Sequence, residues 1–264
     1  GTVLFETLPR TVSFAPIAAY GPATVGNSVY IDGVAVKSGV GSDTDAEGSL
    51  QALLQIRDEV APLFQSQLDE VARGLIVAFA ESVPATPPTL PTLPGLFTWD
   101  TPAAMPADGV VQPGLASAIK INAAVVPPAG NPNLIRDGGI NGPGYVVNTD
   151  QSTGYSELLN KLDEAFDTKI IFDEATEVGG SLSLQSFAAD SMGWLEMRRS
   201  TATTASENKL AMLSRATDAY SSETGVSLDE ELSLLLDIEQ SYKAAAKLMS
   251  AVDDMMQALL EAAS

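Results

Sequence analysis

Three clusters in this sequence have residue types and spacing that could do chemistry. Asp43-x-Asp45-x-Glu47-Gly48 follows the first half of a calcium-binding loop, with Leu50 at the apolar position. The twelfth position, where calcium needs a bidentate Glu, is Leu54, so an acidic turn entering a helix is the expectation. Asp137-Gly138-Gly139-Ile140-Asn141-Gly142-Pro143-Gly144 has the glycines of a phosphate cradle. It lacks the Lys-Ser/Thr ending, its spacing does not suit a dinucleotide turn, and Pro143 removes an N–H donor, which leaves a long surface loop. Asp163, Glu164, Asp167, Asp173, Glu174 and Glu177 supply enough carboxylates for a glycosidase pair. With 34 acidic residues in the chain such clusters arise by chance, and a solvated acidic face is expected.

Composition narrows the chemistry further. The 264 residues contain no Cys and no His, which removes disulfides, thiolate and imidazole metal sites, and Cys or His catalysis. Fourteen Lys and Arg against 34 Asp and Glu give a net charge of −20, so neither nucleic acid nor an anionic membrane is an expected partner. No apolar run reaches the length of a membrane span. The reading is of a non-enzyme, without cofactor or metal. The start at Gly1, running directly into Thr2-Val3-Leu4-Phe5, suggests a fragment.

The elements that must position any site fall into four stretches. Residues 1–46 alternate apolar and polar in short runs punctuated by Gly21-Pro22 and Asp32-Gly33, which predicts short β-strands. Residues 47–82 place Leu50, Leu53, Leu54, Val60, Leu63, Phe64, Leu68, Val71, Leu75 and Phe79 mostly three and four apart, predicting one amphipathic helix or two broken near Pro62. Residues 83–181 open with five prolines between Pro84 and Pro94, read as a stiff extended linker. They continue as mixed β and loop, with a strand at 118–122, an apolar run at 170–172 too short to assign, and a helix over Tyr155–Phe166. Residues 182–264 predict two long helices joined near Ser221–Gly225. The fold class is therefore α+β, with long C-terminal helices forming a bundle or coiled-coil rod beside a smaller β-rich domain.

The last helix has the clearest signals. Ser227-Leu228-Asp229-Glu230 is a capping box, with Ser227 and Glu230 satisfying each other's backbone N–H groups, and the acidic first turn suits the helix dipole. Leu228, Glu231, Leu235, Ile238, Tyr242, Ala245, Met249, Val252, Met256 and Leu259 form a 3-4 repeat. Nine of those ten positions are apolar, the pattern of an assembly seam. Met249, Met255 and Met256 read as interface filling and Tyr242 as a packed ring with its hydroxyl at the edge.

Residues 224–232 (TGVSLDEEL) and 238–249 (IEQSYKAAAKLM) resemble the closing signature of bacterial rod, hook and hook-associated axial proteins, with Ser227 in place of the usual Asn. Glu47-Gly48-Ser49-Leu50-Gln51-Ala52-Leu53-Leu54-Gln55-Ile56-Arg57-Asp58, then Gln67-Leu68-Asp69-Glu70-Val71-Ala72, is similar to a segment of the flagellar hook-associated protein 1 (FlgK) family, and residues 114–122 resemble the strand that follows it. The usual Asn-x-x-His at the end of that helical segment is replaced by Ala80-Glu81-Ser82 and the prolines, and the family's N-terminal helices are absent.

The resemblance implies a structural protein of the hook–filament junction, extracellular on the bacterial flagellum and exported without a cleaved signal peptide. It implies neighbouring copies, hook protein and the next hook-associated protein as partners, and an export chaperone on the C-terminal helix. Another hook or rod protein is the nearest alternative; an acidic extracellular carbohydrate-binding protein or hydrolase is the more distant one.

Overall fold

The computed structural model describes residues 7–19, 21, 24–36, 48–83, 89–99, 104–225 and 228–262. Among these residues the architecture is α+β, with helices of very different length and three small antiparallel sheets. Two units are distinguished, Gly1–Arg198 and Arg199–Ser264.

The first unit begins with a three-stranded sheet of β1 (Val12–Phe14), β2 (Val29–Ile31) and β3 (Val34–Val36) in that spatial order. Asp32-Gly33 makes the two-residue hairpin turn, with φ of 49° and 81°, the pair of positive values that Asp-Gly tolerates. Val29, Ile31 and Val36 share one face and bury it against Leu54 of α1 (Ser49–Gln55), with Leu50 alongside. Asp43, Asp45 and Glu47 lie outside the described residues.

Pro62 does not break the helical segment. A π-helical turn, Ile56–Val60, joins α1 to α2 (Ala61–Ala78), and Pro62 falls in the first turn of α2, where its missing N–H costs least. In the π turn Arg57 donates from Nη1 to the carbonyl of Asn27, 2.9 Å away, fastening the helix to the loop before β2.

Two apolar clusters form around α2. Ala72 and Ile76 meet Leu115 of the short α3 (Leu115–Ala118), with Phe97 and Trp99 packed against them. Phe172 of β6 (Ile170–Phe172), Leu184 and Phe187 form the other, against Val71 and Leu75. The rings of Phe172 and Phe187 stack at 4.1 Å. Gly74 permits this approach, because a Cβ there would stand 2.5 Å from Leu184 Cδ1.

The described end of the proline-rich stretch is built into this unit and is not a free linker. Glu81 and Leu93 exchange backbone hydrogen bonds of 2.8 and 3.0 Å, the Tyr145 hydroxyl donates to the Pro91 carbonyl, and Pro94 is fully buried. Extended backbone that cannot join a sheet interior still offers carbonyl acceptors, and its neighbours use them. Residues 84–88 lie outside the described residues. The expected strand at 118–122 is shorter than its pattern: Leu115–Ala118 is helical and only Lys120–Ile121 (β5) pairs, with Phe97–Thr98 (β4). This unit also contains α4 (Leu134–Asp137), α5 (Glu157–Asp167) and β7 (Gly180–Leu182), which pairs with β6.

Two long helices follow, α6 (Leu184–Thr224) and α7 (Leu228–Ala262). Gly225 ends α6: its N–H reaches the Ser221 carbonyl at 2.7 Å, and a Cβ there would lie 2.3 Å from that same oxygen.

Candidate assembly surface

The polar residues of the first unit serve its own folding. Along α2, Gln67, Asp69, Glu70 and Arg73 are fully buried and each has a distant partner. Gln67 donates to the Thr176 carbonyl at 3.0 Å and accepts from Ser191 Oγ at 2.7 Å. Asp69 accepts the backbone N–H groups of Gly114 and Ala116, both at 2.8 Å. Arg73 forms a two-pronged pair with Glu70, donates to the Ile171 carbonyl, and sits over the Phe172 ring. The amphipathic spacing of this helix does not single these residues out; their signal is four polar residues within the seven positions 67–73.

The glycine cluster is an anion cradle after all, and the anion is the protein's own. Gly138 and Gly139 take φ of 78° and 95°, and the backbone N–H groups of Gly139, Ile140 and Asn141 converge on the Glu81 carboxylate at 2.6, 2.9 and 2.7 Å. The Asn141 side chain adds a fourth bond at 3.0 Å.

Of the carboxylate-rich stretch, Asp163, Glu164 and Asp167 are exposed on α5. Asp173 accepts from the Val111 and Ala175 N–H groups, and these bonds hold its carboxyl below the usual range. Glu177 is lowered in the same way, first by Trp194 Nε1 at 2.8 Å and then by Arg198 at 3.1 Å. Lowered carboxyls are poor general acids, which a glycosidase requires of one member of its pair.

The second unit is built differently. From Arg199 to Glu261 every described residue is exposed, the apolar ones included. Leu228, Leu235, Ile238, Tyr242, Met249, Val252, Met256 and Leu259 of the seam are 54–77% exposed, and Ala245 is exposed with them. Leu232, Leu234, Leu248, Met255 and Leu260 flank the seam and are equally open. The apolar face of α7 is thus wider than a two-residue-per-heptad seam, as in helices of larger bundles. A contiguous apolar face of this extent is larger than the scattered apolar residues of an ordinary protein surface. Acidic Asp229, Glu230 and Glu231 occupy its first turn; Ser227, and with it the capping box, lies outside the described residues. Along α6, Leu210, Met212, Leu213 and Tyr220 are also exposed.

Among the described residues no helix is long and apolar enough to cross a membrane, and no group of three or more acidic residues is arranged to hold a metal ion. No curated protein and no solved structure matches the chain. Residues 218–262, which include all of α7, match the family model of the flagellar basal body rod FlgEFG protein C-terminal region, supporting a structural component of the flagellar axis.

Proposed function

We propose that this chain is a subunit of the hook–filament junction, a hook-associated protein 1, and that α7 is the helix through which it assembles. The observation that carries the assembly reading is the exposure of a whole apolar face along α7 within the segment similar to flagellar axial proteins. The junction assignment is supported by the sequence similarity at 47–72, outside the matched segment. Neighbouring copies, hook protein and the next hook-associated protein are the proposed partners on the assembled flagellum. An export chaperone would cover α7 before secretion without a cleaved signal peptide, because an exposed apolar helix is an aggregation hazard in the cytosol.

The rod-protein description of the matched family favours one other reading, a rod or hook subunit. Electron microscopy of cells lacking the gene separates the two. A junction protein leaves hooks without filaments and flagellin in the medium, restored by the intact gene and not by one truncated before Ser227. Loss of the hooks themselves would assign the chain to the rod or hook, and normal filaments would refute both.

A further inference from the structure

The cradle around Glu81 contains the sequence's one Asn-Gly pair, Asn141-Gly142, and this dipeptide carries chemistry of its own. The backbone nitrogen of Gly142 can attack the side-chain carbonyl carbon of Asn141. The bond from that carbon to the amide nitrogen breaks, the Gly142 N–H proton passes through water to the departing group, ammonia leaves, and a succinimide ring forms. Water then opens the ring at either carbonyl, leaving Asp or isoAsp. A glycine in second position favours the attack because no Cβ shields its nitrogen.

The folded loop restrains both reacting groups. The Gly142 N–H donates to the Gly139 carbonyl at 3.1 Å, which ties the attacking nitrogen into a turn. The Asn141 side-chain amide donates to Glu81 Oε2 at 3.0 Å and to the Pro94 carbonyl at 2.9 Å, so any rotation of the side chain breaks both bonds.

The same contacts cannot accept the product. Both partners of the Asn141 amide are acceptors, and a carboxylate has no proton to offer either one. The new charge would stand against the Glu81 carboxylate, which already draws the N–H groups of Gly139, Ile140 and Asn141 into the cradle. The isoAsp form would also add a methylene to the main chain inside the turn that Gly139 and Gly142 close.

We propose that Asn141 is a deamidation site that folding closes and unfolding opens, and that conversion to Asp or isoAsp keeps the cradle from re-forming around Glu81. Asn141 thereby records the time a chain has spent with this loop open. The proposal is independent of the assembly reading of α7.

The test incubates the whole chain at mildly alkaline pH in water enriched in heavy oxygen, once native, once unfolded in urea, and once as Glu81→Ala, and maps the label by peptide mass spectrometry. Reaction proceeds through opened molecules, so label at Asn141 should accumulate about tenfold or more slowly in the native chain than in urea, with Glu81→Ala between them. Asn122-Ala123 and Asn148-Thr149, whose second residues carry a Cβ, serve as internal standards. Equal rates in native and unfolded chains would overturn the closure, and a rate in urea no faster than the standards would remove the site itself. Asn141→Asp examines the consequence: it should lower the melting temperature, and combined with Glu81→Gln it should cost less than the two substitutions summed. Unchanged melting of Asn141→Asp, or strictly additive losses, would refute the like-charge conflict in the cradle.

Discussion

Arg73 grips Glu70 through two parallel hydrogen bonds of 2.7 and 2.8 Å, and both side chains are wholly excluded from solvent. One turn apart on α2, the pair does not neutralise itself in isolation. The Asp173 N–H donates to Glu70 at 3.1 Å, and Arg73 donates onward to the Ile171 carbonyl, so the ion pair pins β6 to the helix.

Breaking this pair should cost far more than replacing it. Arg73→Met leaves Glu70 charged and buried, and should lower stability by about 3–5 kcal/mol, whereas Glu70→Leu with Arg73→Met should recover much of the loss. Urea unfolding followed by tryptophan fluorescence reads the first unit directly, because Trp99 and Trp194 are the chain's two tryptophans. Equal losses in the single and double variants would show that the charge itself is not what the site depends on.

Emptying the glycine cradle is a second test. Glu81→Ala removes the acceptor of four hydrogen bonds and leaves converging N–H groups without their anion. A loss of about 1–3 kcal/mol is expected, with faster proteolysis confined to the loop around 138–144. Added acetate should restore part of the melting temperature where chloride does not; identical melting in both salts would mean the loop rearranges instead.

Acid should weaken the first unit in a defined window. Two bonds from Arg136, at 2.7 and 2.8 Å, together with one from Asn148, hold the Asp137 carboxyl down at about 2, and Asp173 and Glu177 are also lowered. A carboxyl lowered in the folded state stabilises above its unfolded value near pH 4, and that contribution fades as pH falls toward 2. The melting temperature should therefore decline between about pH 4 and pH 2, and less steeply in Asp137→Asn. Parallel curves for the two proteins would remove Asp137 from the account.

A charge on the seam should separate folding from assembly. Met249 is 77% exposed and touches no core, so Met249→Glu should leave the tryptophan-monitored unfolding of the first unit unchanged. The same substitution should abolish filament attachment in complemented cells, because a carboxylate would be buried without a partner on assembly. Normal filaments on that variant would exclude this part of α7 from the interface.

Much of the architecture was legible because it is local. The 3-4 spacing from Leu228 to Leu259, the apolar positions of Glu157–Asp167 and the Asp32-Gly33 turn each carry their own instructions. The polar stripe of α2 was not, because its partners are remote in sequence: Gln67 meets Thr176 109 positions away and Ser191 124 positions away. The cradle around Glu81 was half legible, since the glycines announced an anion site and nothing local named a carboxylate 58 to 60 residues upstream. On α7 the 3-4 repeat was legible, but its added width came also from Leu234 and Leu248, which a search for the narrowest stripe passes over.

The π turn at Ile56–Val60 acts as a phase adjuster between two apolar faces. An α-helix turns about 100° per residue, so a single deletion within this turn would rotate everything after it by that amount. Leu54, ahead of the turn, is committed to the β-sheet, and Ile76, beyond it, to the cluster around Leu115. A helix shortened by one residue could serve one of these anchors and would swing the other toward water.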